Sequence, residues 1–172
     1  MFDFQPTLVG PRITVRPILA TDWEGMFAAA RDREIWAQHP ERDRYQETVF
    51  RGYFDDAIAC GKAFAFVEHK SGEIIGSSRY NDYDPAASEI EIGWTFLARA
   101  YWGGSYNAEI KELMLDHAFK YVDTVLFWVG AANLRSRRAM EKIGGVQRAG
   151  NWTRTHGSGP EPCVVYEIGK HG

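Results

Sequence analysis

Two glycines set ahead of a helical pattern carry the clearest chemical signal in the chain. Gly103 and Gly104 precede the run Ser105-Tyr106-Asn107-Ala108-Glu109. The first N–H groups of a helix have no intrahelical partner and carry partial positive charge. Glycine lets a ligand approach such a backbone closely. The pair therefore reads either as an anion site suited to a diphosphate or as a plain tight turn. Just upstream, Glu89, Glu91 and Gly93 alternate with Ile90 and Ile92, so one face of a strand is acidic. That face is either a solvated surface or a place where a carboxylate takes up a proton.

Spacing removes the other glycine-loop chemistries. A P-loop needs Lys after its last glycine, and none stands there. Asp123 lies twenty residues after Gly103, but the remaining glycines of a dinucleotide fingerprint are missing. Asn107 stands where a nucleophile elbow around Ser105 requires glycine, which leaves a serine hydrolase as a weak alternative. Histidines and cysteines do not cluster at ligand spacing, so no metal site is expected.

The elements that must position these residues follow from periodicity. Arg12 to Ile18 alternates as a strand, and Thr21-Asp22 offers an N-cap for a helix over Trp23 to Ala30. Arg33 to Tyr45 reads as a short helix and loop. Glu47 to Ala59 reads as a helix with Val49, Tyr53, Phe54, Ala57 and Ile58 on one side, stopped by Gly61. Three strands follow, over Ala63 to His69, Glu73 to Tyr80 and Ser88 to Phe96, separated by turn signals without a helix. Such spacing predicts an antiparallel meander. Tyr106 to Tyr121 is helical, with Ile110, Leu113, Met114 and Ala118 inward and Lys111, Asp116 and Lys120 outward. A strand over Thr124 to Val129, a helix over Asn133 to Ile143, a loop over Thr155 to Pro162 and a strand over Cys163 to Ile168 complete the chain. The order predicts one mixed α/β (α+β) domain.

Composition sets outer limits. The 172 residues suffice for one domain with a real core. A net charge of -3 gives no general electrostatic help toward nucleic acid or an anionic membrane, and neither is expected as a partner. Cys60 and Cys163 are too few and too distant for a disulfide framework. No signal peptide or membrane span is legible, so a cytoplasmic protein is expected.

Two motifs in order resemble one family. The run Glu91-Ile92-Gly93-Trp94 … Tyr101-Trp102-Gly103-Gly104-Ser105-Tyr106-Asn107-Ala108-Glu109 resembles the acetyl-CoA motif of the GCN5-related N-acetyltransferases (GNAT). It is most similar to the branch that includes ribosomal-protein N-terminal acetyltransferases. Asn133-Leu134-Arg135-Ser136-Arg137-Arg138-Ala139-Met140-Glu141-Lys142-Ile143-Gly144 resembles the helix that follows the fifth strand in that branch, and Leu8 to Pro17 its first strand. The sequence departs from the family at Ala100 and Ser105 in the phosphate motif. It departs again at Met140, where many members carry a tyrosine that protonates the leaving thiolate.

The resemblance implies a mostly antiparallel sheet of six to seven strands with about four helices, splayed between the fourth and fifth strands. It implies acetyl-CoA as co-substrate and direct attack by a primary amine, small molecule or peptide N-terminus, and it allows a homodimer. It assigns cofactor contacts to Trp94, Thr95, Phe96, Gly103, Gly104, Ser105, Tyr106, Asn107, Asn133 and Arg138. It makes Glu91 the proton acceptor, with Ser136 or Tyr166 toward the leaving thiolate. Trp36, His39, Arg79, Asn81 and Tyr83 fall on segments that line the acceptor side. Glu91 with Asp82 or Asp84 would make that side acidic. A non-catalytic acyl-CoA-binding module is the alternative reading.

Overall fold

A computed structural model describes residues 1–171. It contains nine strands, β1 (Leu8–Val9), β2 (Ile13–Pro17), β3 (Ala63–Glu68), β4 (Ile74–Asp84), β5 (Glu89–Leu97), β6 (Thr124–Gly130), β7 (Val146–Gln147), β8 (Trp152–His156) and β9 (Gly159–Gly169). Five helices accompany them, α1 (Trp23–Ala30), α2 (Arg33–Trp36), α3 (Glu47–Cys60), α4 (Tyr106–Ala118) and α5 (Leu134–Lys142). All strands join one sheet in the order β1-β2-β3-β4-β5-β6-β9-β7, with β8 paired to β9. Every pairing is antiparallel except β5 with β6. The mixed, mostly antiparallel architecture matches the expectation, with two more strands and one more helix than its upper figures.

The sheet has one apolar cluster on each face, as alternation along its strands requires. Ile90, Ile92, Val125 and Phe127 pack with Ile110 and Met114 of α4. On the other face Ala65 and Phe96 pack with Met26 and Ala30 of α1, Trp36 of α2 and Phe50, Tyr53 and Phe54 of α3.

Several local expectations change. Asp22 does not cap α1 with its side chain. It accepts both guanidinium donors of Arg16 at 2.8 and 2.9 Å and the Leu19 N–H at 2.7 Å. Its oxygens are thus committed to closing a 3-10 turn over Ala20–Asp22. Phe50 joins Tyr53, Phe54 and Ala57 on the buried side of α3, whereas Val49 and Ile58 are exposed. The strand expected over Glu73 to Tyr80 runs further, because β4 continues to Asp84. Thr155 to Pro162 is the tip of the β8–β9 hairpin, in register from Trp152↔Cys163 to His156↔Gly159. Gly159, at φ +110, permits its tight reversal. The largest departure is Lys111. It points inward from α4 and is 6% exposed.

Candidate active site

The site begins where two neighbouring strands part. β5 and β6 pair in parallel only at Glu89↔Thr124, Ile90↔Val125 and Glu91↔Leu126. Beyond Glu91 the two strands separate, and β6 continues along β9 to Gly130↔Cys163. A bulge in β5 assists the separation. Ser77 faces Phe96 and Arg79 faces Gly93, so Trp94 and Thr95 together oppose Ser78. Trp94 takes φ +53, a region that a bulky side chain rarely enters. Three contacts hold it there. Tyr53 Oη donates to the Trp94 carbonyl at 2.5 Å. The guanidiniums of Arg79 and Arg154 lie 4.8 and 5.3 Å from the indole ring.

The gap opens a cavity of about 790 Å³. At one end stand Gly103, Gly104, Asn107 and Ala108 at the start of α4, with Arg138 and Lys142 of α5 also in the wall. Gly103 has φ +71, which accounts for glycine at the first position. A Cβ on Gly104 would meet no atom within 4 Å, so packing alone does not require glycine there. Asn133 caps α5 by accepting the Ser136 N–H at 3.3 Å. Both residues line the cavity, as do Trp94, Thr95 and Phe96. Free strand edges, a helix N-terminus and two nearby cations fit an extended ligand that carries phosphates.

Trp102 also lines this end. Its indole N–H donates to the Leu97 carbonyl at 2.7 Å, and the Arg135 guanidinium stacks 3.6 Å from its ring. Tyr106 instead packs beneath Arg12, 4.3 Å from the ring centroid. Neither Tyr106 nor Ser105 contributes to the cavity wall.

The middle of the cavity holds a group that periodicity had turned outward. Lys111 Nζ donates to Thr95 Oγ1 at 3.2 Å and sits 5.3 Å from the Phe127 ring. Thr95 Oγ1 in turn lies 2.8 Å from Ser78 Oγ. Burial alone pushes the Lys111 ammonium down to about 8.

The far end is polar. His156 Nδ1 lies 3.1 Å from Glu41 Oε1, which also accepts the Gly157 N–H at 2.9 Å. A carboxylate that holds Nδ1–H leaves Nε2 as the basic nitrogen. His39 accepts the Glu41 N–H on Nδ1 at 2.9 Å. Burial, reinforced by the charge of Arg44, pushes His39 down to about 3, so its imidazole is neutral. Trp94, Trp128, Arg154 and Cys163 complete this end. Burial also pushes the Cys163 thiol up, and both cysteines are free.

Other residues singled out from the sequence sit elsewhere. Glu91 is 1% exposed and stands behind the cavity wall. Its carboxylate accepts from Arg154 Nη1 at 2.7 Å, from Arg154 Nη2 at 3.1 Å and from Asn81 Nδ2 at 3.0 Å. Both oxygens are committed, so Glu91 is placed to hold Arg154 rather than to meet a ligand. Tyr166 is fully buried. It donates to Glu141 Oε1 and accepts from Arg137 Nε, each at 3.3 Å, away from the cavity. Tyr83 packs near Phe2 and Phe4 on the opposite face. Trp36 is buried beneath the site and donates to the Ala30 carbonyl at 2.8 Å. Arg79 lines a smaller chamber beside the cavity. Among the described residues no three His, Cys, Asp or Glu side chains gather to hold a metal, and no helix is long and apolar enough to cross a membrane.

Sequence reasoning missed Lys111, Glu41, Arg44, Trp128, Arg154 and His156. Only the inward phase of α4 could have flagged Lys111. Glu41 and His156 stand 115 residues apart, with no shared pattern to connect them.

A mostly antiparallel sheet opened between two parallel strands, with a glycine turn at the head of the opening, defines the acetyltransferase class of folds. The chain belongs to the GNAT acetyltransferase family, whose domain model matches residues 12–146. Solved structures agree. A GCN5-related N-acetyltransferase from Brucella melitensis superposes with TM-score 0.85 at 19% identity, covering 96% of this chain and 79% of that one. An acetyltransferase from Agrobacterium tumefaciens shares 25% identity at TM-score 0.70, with 99% and 98% covered. Mycobacterium smegmatis RimJ in complex with CoA-disulfide superposes with TM-score 0.71 at 17% identity, with 99% and 91% covered. No curated protein sequence matches the chain.

Proposed function

We propose that this protein transfers the acetyl group of acetyl-CoA directly to a primary amine, of a small molecule or a peptide N-terminus. The observation that carries the reading is the gap between β5 and β6. It joins a phosphate-suited helix start at one end to the His156–Glu41 pair at the other. Backbone N–H groups at Gly103 to Asn107, with Arg138 and Lys142, would hold the phosphates of the coenzyme. The strand edges at Trp94 to Phe96, with Asn133, would hold its pantetheine arm. The CoA complex of the RimJ homologue supports this choice of ligand.

The chemistry then needs one proton acceptor and one proton donor. The amine nitrogen attacks the thioester carbonyl carbon, the C–N bond forms, and the C–S bond breaks. His156 Nε2, oriented through Nδ1 by Glu41, takes the proton from nitrogen. Lys111 Nζ gives its proton to the departing sulfur, a role that Met140 cannot fill. Glu91 is a positioning residue, because it holds Arg154 and through it the Trp94 bulge.

Mass spectrometry of an amine panel incubated with acetyl-CoA tests the reading. At least one amine should gain an acetyl group in proportion to the CoA released. Tight CoA binding without any acetylated amine would instead support a non-catalytic acyl-CoA-binding module.

A further inference from the structure

Three arginines surround the far end of the cavity, and only one is neutralised. Arg154 is clasped by Glu91. Arg79 and Arg44 have no carboxylate within 4.0 Å among the described residues. Arg79 is 6% exposed. Its Nη2 makes a single long contact, 3.5 Å to the Tyr53 carbonyl, and its buried Nε has no partner. Its guanidinium lies 5.2 Å from the Tyr53 ring and 4.8 Å from the Trp94 ring. Arg44 lies 5.0 Å from the same Tyr53 ring and 5.6 Å from the Trp36 ring.

The two cations line a side chamber of about 180 Å³ whose wall also includes Gly52, Tyr53 and Trp94. Glu41, Arg44 and Trp94 belong to both chamber and cavity, so the two spaces adjoin beside the acceptor end. Carboxylates do face the chamber. Glu41 is occupied by His156 and the Gly157 N–H, and Asp56 is exposed on α3. Neither reaches a guanidinium within 4.0 Å.

A guanidinium cannot shed its proton, so burial cannot be relieved by neutralisation. A buried cation without a counter-ion is strongly unfavourable, and an incoming anion recovers that cost. The fork of an arginine matches a carboxylate through two parallel N–H···O bonds. Rings of Tyr53 and Trp94 hold the Arg79 fork in place, which lowers the entropy lost on binding.

We infer that this chamber is a carboxylate-binding subsite, and that the acceptor is a small amine that also carries a carboxylate. The inference rests on the acetyltransferase reading and narrows its acceptor to zwitterionic amines. It also reverses the acidic acceptor pocket expected from Glu91 with Asp82 or Asp84. Glu91 is already paired, and Asp84 lies near the outer end of β4, accepting the Ala86 and Ala87 N–H groups.

The test compares matched amines. α-Amino acids are set against their carboxamides, and ω-amino acids against alkylamines of equal length. Each is assayed for acetyl transfer and, without coenzyme, for a thermal shift of the protein. At least one carboxylate-bearing amine should exceed its neutral partner by about thirtyfold in kcat/KM. It should also raise the melting temperature of the native protein. Arg79→Met and Arg44→Gln should each bring the two partners within about threefold and abolish the thermal shift. Arg79→Met should fold, since it removes an unpaired buried charge. Equal use of both partners, or a preference for polyamines, would overturn the inference while leaving acetyl transfer intact. A preference for phosphoethanolamine over every carboxylate would overturn the carboxylate assignment. Failure to bind CoA would sink the acetyltransferase reading itself, and the thermal shift would still report on the chamber.

Discussion

Lys111 Nζ lies 3.2 Å from Thr95 Oγ1, so a cation from α4 is held beside the bulge at which β5 leaves β6. No other charged group accounts for its shift, which burial alone produces. A group of this kind has two separable consequences, one for stability and one for turnover.

The stability consequence follows from linkage. Lys111 is held near 8 in the folded protein against an ordinary 10.5. Below pH 8 both folded and unfolded chains carry the proton, and the buried charge costs about 3 kcal/mol. Between pH 8 and 10.5 the folded chain releases it first, so the cost fades as pH rises. Lys111→Met should therefore raise thermal stability at pH 7, with the gain shrinking toward pH 10. Melting curves across that range check this without any substrate.

The turnover consequence has the opposite sign. A proton donor must be protonated, so kcat should fall as pH rises through about 8. Lys111→Met should lower kcat by about one hundredfold and abolish that alkaline limb. A variant with normal kcat and an unchanged limb removes Lys111 from the reaction.

His156 and Glu41 form the complementary pair. His156→Gln should reduce kcat by about two orders of magnitude, with CoA affinity unchanged. Glu41→Gln should cost less, because the imidazole survives and only its orientation loosens. Rate measurements beside calorimetric CoA titrations separate these effects.

Glu91→Gln should act on the fold before the chemistry. Glu91 is 1% exposed and Arg154 is 24% exposed, so the pair is largely withdrawn from water. Removing one charge leaves Arg154 uncompensated and should cost about 3 kcal/mol, read by denaturant unfolding. Unchanged stability would contradict the role assigned to this pair.

Gly104 offers a cleaner probe of the coenzyme end. Its added Cβ would meet nothing within 4 Å, so Gly104→Val should fold normally. With phosphates against this backbone, the same side chain should weaken CoA binding by more than about tenfold. Equal affinity for CoA would place the phosphates elsewhere.

Local signals made much of the fold legible. Helix α1 occupies the predicted residues, and the Gly61 stop at φ +67 appears as expected. These features depend on a few consecutive residues. What the sequence concealed depends on tertiary contact. Lys111 reads as a surface charge because an ammonium normally seeks water, and only the gap between β5 and β6 reveals why it turns in. Glu91 reads as either a solvated or a proton-accepting carboxylate until β8 brings Arg154 across it. Arg44 and Arg79 are far from one another in sequence and meet through Tyr53. The glycine turn was legible, whereas the groups at the far end of the cavity are assembled by a distant loop and a hairpin.

Transfer of an acetyl group from CoA to an amine within this gap is the proposed reaction. The most direct measurement is the rate of thiol release from acetyl-CoA with and without amines from the panel. Release should require an amine, saturate with it, and match the acetylated product mole for mole. Release at the same rate without any amine would contradict it.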